Sequence, residues 1–133
     1  EMQRSLVGSE MCIRDRHEGP QNIRLNENPA VLVEGMITSD EPGLYKAGKH
    51  GIRIENLVLA RNYRETEEFG KFMNFEVLTL FPYDSKLIDL AMLSDEELAW
   101  VNNYHKTVRE RLTPYLNAEQ QAWLNEKTKE LKK

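Results

Sequence analysis

Hydrophobic and polar positions in this chain follow two periods, one after the other. Through about residue 81 the apolar residues come in short extended runs. Met36 to Glu41 is stopped by Pro42-Gly43, a second run goes from Gly51 to about Ala60, and Phe75 to Phe81 ends at Pro82. In the second run Ile52, Ile54 and Val58 face one way, while Arg53, Glu55, Leu57 and Leu59 face the other. That predicts a strand covered on both sides beyond Glu55. Asn62 to Asn74 is polar and reads as a surface loop, with Gly70 as its flexible point. His17-Glu18-Gly19-Pro20 and Asn26-Glu27-Asn28-Pro29 carry turn chemistry. From Ser94 the period becomes helical: Ser94 with Glu97 has the capping-box pattern, and Leu98, Val101, His105, Val108, Leu112 and Tyr115 form one stripe. Asn117 with Gln120 marks a second N-cap, before a helix carrying Trp123, Leu124, Thr128 and Leu131. Strands followed by helices predict an α+β fold.

Composition narrows the class of protein. With 133 residues, 40% hydrophobic and 30% charged, the chain has the make-up of an ordinary soluble domain. Its formal net charge of -4 argues against nucleic acid as the main partner. No apolar run approaches a membrane span, and charges break up the opening residues where a signal peptide would be apolar. The single cysteine, Cys12, rules out a disulfide framework or a thiolate zinc cluster and points to a reducing, cytoplasmic setting. Residues 1–16 show neither alternation nor a helical stripe. Ser5 to Arg16 resembles translated sequencing-adapter read-through, so this segment is expected to be foreign to the fold.

Charges inside the apolar runs carry the candidate chemistry. Glu41 and Glu55 fall on what read as neighbouring strands, with Arg53 beside the second, although such residues are seldom buried unless paired or bound to metal. Two carboxylates held close repel unless one is protonated or a cation lies between them. Hard divalent cations meet that need through oxygen ligands, and a pair of metals about 3.5–4 Å apart suits a bridging and a terminal carboxylate. Arg53 would then orient a ligand carboxylate. His17 is a candidate ligand, proton carrier or substrate hydrogen-bonder. On spacing alone, a structural Glu–Arg pair on a hairpin serves equally well. His105, on the apolar stripe, reads as a packed, hydrogen-bonded histidine, and His50 as an exposed loop residue. Trp100, Tyr104 and Trp123 suit a core or an interface.

The literal motifs go further. His17-Glu18-Gly19-Pro20, Glu41-Pro42-Gly43 and Gly51-Ile52-Arg53-Ile54-Glu55-Asn56, in this order, resemble the closing motifs of the pita-bread metallopeptidases, and within them the Xaa-Pro aminopeptidases (aminopeptidase P). Leu78-Thr79-Leu80, Lys86-Leu87-Ile88-Asp89 and Trp100 to His105 resemble the C-terminal extension of the large, three-domain members. The resemblance implies the C-terminal part of a pita-bread catalytic domain over 17–70, then a short, mostly helical extension over 71–133. It implies a site with two divalent ions, usually manganese, acting on peptides with proline at the second position. Glu41 would be a metal ligand and proton shuttle, Glu55 a ligand bridging both metals, His17 a catalytic and substrate-contacting residue, and Arg53 the arginine that orients a ligand. The extension implies a homodimer. The family's two aspartate ligands, its histidine ligand and a further active-site histidine belong upstream, where residues 1–16 stand instead. The parent protein is thus expected to be an enzyme and this chain inactive. A prolidase-type dipeptidase and a non-catalytic peptide-binding module on the same fold are the alternatives.

Overall fold

A computed structural model describes Gln21, Ile23 and residues 28–133. The chain divides into two compact units, Glu1–Thr79 and Leu80–Lys133. The expected α+β order holds, with the strands in the first unit and the helices in the second.

In the first unit, β1 (Ile37–Asp40), β4 (Asn56–Thr66) and β5 (Gly70–Val77) form an antiparallel sheet in the order β1-β4-β5. A two-stranded sheet joins β2 (Gly43–Lys46) to β3 (His50–Arg53). The first half of β4 is covered on both sides, as expected: Asn56, Val58 and Ala60 are buried on one face, Leu57 and Leu59 half-buried on the other. Thr38 pairs with Val58 and is buried with it.

Three readings are corrected here. The run from Gly51 to Ala60 is not one strand but β3 and β4, parted at Ile54-Glu55, and His50 opens β3 rather than lying in a loop. Asn62 to Asn74 is not a loop but the arms of the β4–β5 ribbon, turning at 67–69 with Gly70 at a φ of 71°. Past Ala60 this ribbon is wet on both faces, so no apolar alternation marks it. Its stabilising pairs are polar or aromatic instead: Arg61 bonds Glu76 at 2.7 Å, and the Arg64 guanidinium lies 4.9 Å from the Phe72 ring centre.

The expected strand over 75–81 stops at Val77. The following backbone is satisfied in turn by Leu57 and by side chains of the second unit's own helix. Leu78 N–H donates to the Leu57 carbonyl at 2.8 Å, and the Tyr104 hydroxyl donates to the Phe81 carbonyl at 3.0 Å. Tyr83 N–H donates to Nε2 of His105 at 3.1 Å. The apolar alternation of Phe75 to Phe81 thus continues past β5, held first by Leu57 of β4 and then by helix side chains.

Helix α1 (Asp95–Leu112) starts at Ser94, where both bonds of the capping box form with Glu97. His105 and Val108 of its stripe are buried, while Leu98, Val101 and Leu112 are half-buried. Tyr115 leaves the stripe because Thr113-Pro114-Tyr115 is a separate 3-10 turn, which exposes its ring. Helix α2 (Ala118–Lys127) has the Asn117–Gln120 capping box and buries Leu124. It ends one residue before Thr128, so Leu131 lies beyond it. Thr128 is held by Arg109, whose Nη1 donates to its carbonyl at 2.8 Å, and Leu131 is pinned through both backbone groups by the Asn102 side chain.

Candidate functional site

The β1-β4 and β2-β3 ladders share one register. Asp40 pairs with Asn56, and Gly43 pairs with Arg53. Continued across the gap, that register sets Pro42 opposite Ile54 and Glu41 opposite Glu55. The Ile54 N–H bonds the Pro42 carbonyl at 3.1 Å, as this requires, and proline has no N–H to return the second bond. Pro42 is therefore the physical reason the ladder is broken here. Since Pro42 and Ile54 occupy a hydrogen-bonded position, Glu41 and Glu55 fall at the adjacent non-bonded one. Side chains there share a face and approach most closely, with Cα atoms typically about 4.5 Å apart.

Arg53 lies diagonally across from Glu41. Its Nη1 donates to Glu41 Oε2 at 2.7 Å, and Ser39 Oγ donates to Oε1 at 2.8 Å. Ser39 is buried, Glu41 is mostly covered, and Glu55 is exposed. Arg53 also donates through Nε to the Tyr45 hydroxyl at 2.8 Å. The guanidinium pKa is raised above its ordinary value, first by that hydroxyl and then by the charges of Glu41 and Glu55.

Tyr45 is the site residue that sequence reasoning missed. A Cβ on Gly43 would sit 2.7 Å from its ring, and so would one on Gly51, so the two glycines let the ring lie flat along the hairpin toward Arg53. The signal was present as Gly43-x-Tyr45 facing Gly51-x-Arg53. Only the register shows that these are cross-strand neighbours.

His17 lies outside the described residues. Among the described residues no group of three or more His, Cys, Asp or Glu side chains is placed to hold a metal ion. The donor chemistry still suits a hard divalent cation, because two carboxylates face each other on one surface with only oxygen atoms to offer. The hairpin therefore fits as part of a metal centre rather than a whole one.

Comparison with known proteins gives the family. Residues 2–62 match the model of metallopeptidase family M24, and residues 71–131 match that of the C-terminal region of peptidase M24. The chain belongs to metallopeptidase family M24. Within it the resemblance is to the Xaa-Pro aminopeptidases. Aminopeptidase P2 of Arabidopsis thaliana is 43% identical over 121 residues, covering 88% of this chain and 17% of its own. A probable Xaa-Pro aminopeptidase P of Coprinopsis cinerea is 41% identical over 118 residues, covering 84% of this chain and 19% of its own. The crystal structure of an X-prolyl aminopeptidase from Caenorhabditis elegans, described as a cytosolic enzyme with a di-nuclear active site, superposes with a TM-score of 0.68 at 31% identity. It covers 75% of this chain and 17% of that one. The chain thus spans about a fifth of the length of the relatives it matches. Its α+β fold is the C-terminal part of a pita-bread catalytic domain with a short, mostly helical extension.

Proposed function

We propose that the complete protein is a metal-dependent aminopeptidase that releases the N-terminal residue from peptides with proline at the second position. The observation that carries this is the placement of Glu41 opposite Glu55 on one face, with Arg53 on Glu41, in a chain whose relatives are Xaa-Pro aminopeptidases. Two divalent ions, manganese by family resemblance, would supply the nucleophile and polarise the scissile carbonyl. Glu55 would bridge them. Glu41 would hold one of them and carry the proton between nucleophile and leaving amine. Arg53, itself held by Tyr45, fixes where the Glu41 carboxylate points. His17 would contact the substrate and stabilise the transition state.

The work would be divided by segment. Residues 17–70 would close the catalytic domain, and 71–133 would form the extension, whose first strand, β5, completes the sheet on β4. Residues 1–16 would take no part in this scheme. The extension would carry a homodimer contact through its exposed aromatics, among them Trp100 and Trp123. A cytosolic setting, as in the nematode relative, fits the lone cysteine, and no described helix is long and apolar enough to cross a membrane.

Activity assays on the complete protein test this. Glu55→Gln is expected to lower cleavage of an Xaa-Pro tripeptide by more than the ~10–100-fold that loss of a metal ligand's partner costs. The 133-residue chain should show no hydrolysis, because two carboxylates would not by themselves hold both ions. Cleavage of dipeptides alone would indicate a prolidase-type enzyme. Turnover by the isolated chain would refute the division of the site.

A further inference from the structure

We propose that His105 is an acid-operated latch on the segment that leads into α1, and that protonating its ring frees the Tyr83 backbone while the helices stay folded. Leu80 to Tyr83 opens the helical unit without a helix or strand of its own. Two consecutive residues of α1 hold it there. The Tyr104 hydroxyl donates to the Phe81 carbonyl at 3.0 Å, and the Tyr83 N–H donates to Nε2 of His105 at 3.1 Å.

Both ring nitrogens of His105 point to the same conclusion. Nε2 accepts a hydrogen bond, so the ring is neutral and its proton lies on Nδ1. His105 is 1% exposed, and Nδ1 has no hydrogen-bond partner among the described residues. A second proton must go on Nε2, where it would point at the Tyr83 N–H. The imidazolium would then carry two buried donors and no acceptor, a state that burial makes costly. Arg109, one turn further along α1, adds a like charge, and burial followed by this charge holds the His105 pKa below its ordinary value. Tyr83 from the connecting segment and Tyr104 from α1 are the other titratable groups against the ring. Neither carries a negative charge in acid. The charged ring is therefore tolerated only after the Tyr83 backbone moves off and water reaches Nε2. The bond from Tyr104 to Phe81 is untouched by acid, since burial raises the Tyr104 pKa and keeps its hydroxyl protonated.

The test is amide hydrogen exchange of the 133-residue chain against pH, with each rate corrected for the intrinsic pH dependence of exchange. The Tyr83 N–H should be less protected than the Thr128 N–H, which donates to the Leu124 carbonyl at the end of α2. In the opened state the ring regains its ordinary pKa, so Tyr83 protection should fall about tenfold per pH unit below about pH 6.5, down to the lowered closed-state value. His105→Gln, whose amide oxygen accepts without titrating, should remove that slope. Equal protection of Tyr83 and Thr128 at every pH would overturn the latch, because release would then require the whole unit to unfold. A Tyr83 slope that survives in His105→Gln, or no slope in the wild-type chain, would overturn it too. Should His105→Gln lose its helix signal in circular dichroism, the wild-type ring is titrated by NMR instead. An inflection below about pH 6.5 is expected there, and one at or above it sinks the proposal.

Discussion

The carboxylate hairpin and the helical unit place charged and titratable groups in opposite ways. In Leu80–Lys133 such groups complete the fold: Glu97 caps α1, Arg109 caps α2, and buried His105 accepts from a backbone N–H. On the hairpin they crowd together. Continued across the Pro42 break, the register sets Glu41 opposite Glu55, and Arg53 pairs with Glu41. On the opposite face the Leu44–Ile52 pair is exposed, with Ile54 beyond it. Local folding rules explain the helical unit almost completely. On the hairpin it is the cross-strand register, not a local rule, that brings the charges together.

The sharpest test of this contrast is stability. Leu124→Ala removes a fully buried side chain and should cost the helical unit about 2–5 kcal/mol in urea unfolding. Arg53→Met, by comparison, breaks a partly exposed pair and should cost no more than about 1 kcal/mol. A reversal of that order would break the comparison. His105→Ala comes next, since it leaves the Tyr83 N–H without its acceptor and should cost about 1–3 kcal/mol.

Acidification should show the same dependence on His105. Burial, then the charge of Arg109, hold its pKa below the ordinary value, and Tyr83 and Tyr104 are the other titratable groups packed against it. The unfolded chain therefore takes up the proton first. Stability is full above about pH 6.5 and falls as pH drops from there toward the lowered folded value. Glu97 adds a separate loss at lower pH, because the Ser94 backbone N–H depresses its pKa and protonation below about pH 4.3 weakens that cap. Stability measured against pH should lose the upper window alone in His105→Gln. The smallest effect belongs to the exposed ribbon, where Arg61→Ala should shift stability by about 0.2–1 kcal/mol.

How much could be read in advance varied with the local physics. Both capping boxes were legible because a cap needs only residues three apart, and both form. The buried His105 was legible from the helical stripe. The β4–β5 ribbon was not, since a strand exposed on both faces has no alternation to read. The end of the third strand at Val77 was also hidden. Whether Leu78 to Phe81 finds a strand or a helix side chain is settled by what lies across from it, not by its own residues. For the site, Glu41, Arg53 and Glu55 stood out as charges in apolar runs, and the family resemblance that named them agrees with the matches to M24 and to Xaa-Pro aminopeptidases.

Short-range chemistry along the chain was thus enough for the order of strands before helices, the helix starts, the break at Pro42-Gly43 and the identity of the chemically unusual residues. It reached the family through motifs whose spacing is local. What it did not contain was which residues meet. A one-residue slip in register would have turned Glu41 away from Glu55 and left Tyr45 far from Arg53. The tertiary structure decided that register, and with it the pairing of Arg53 with Glu41.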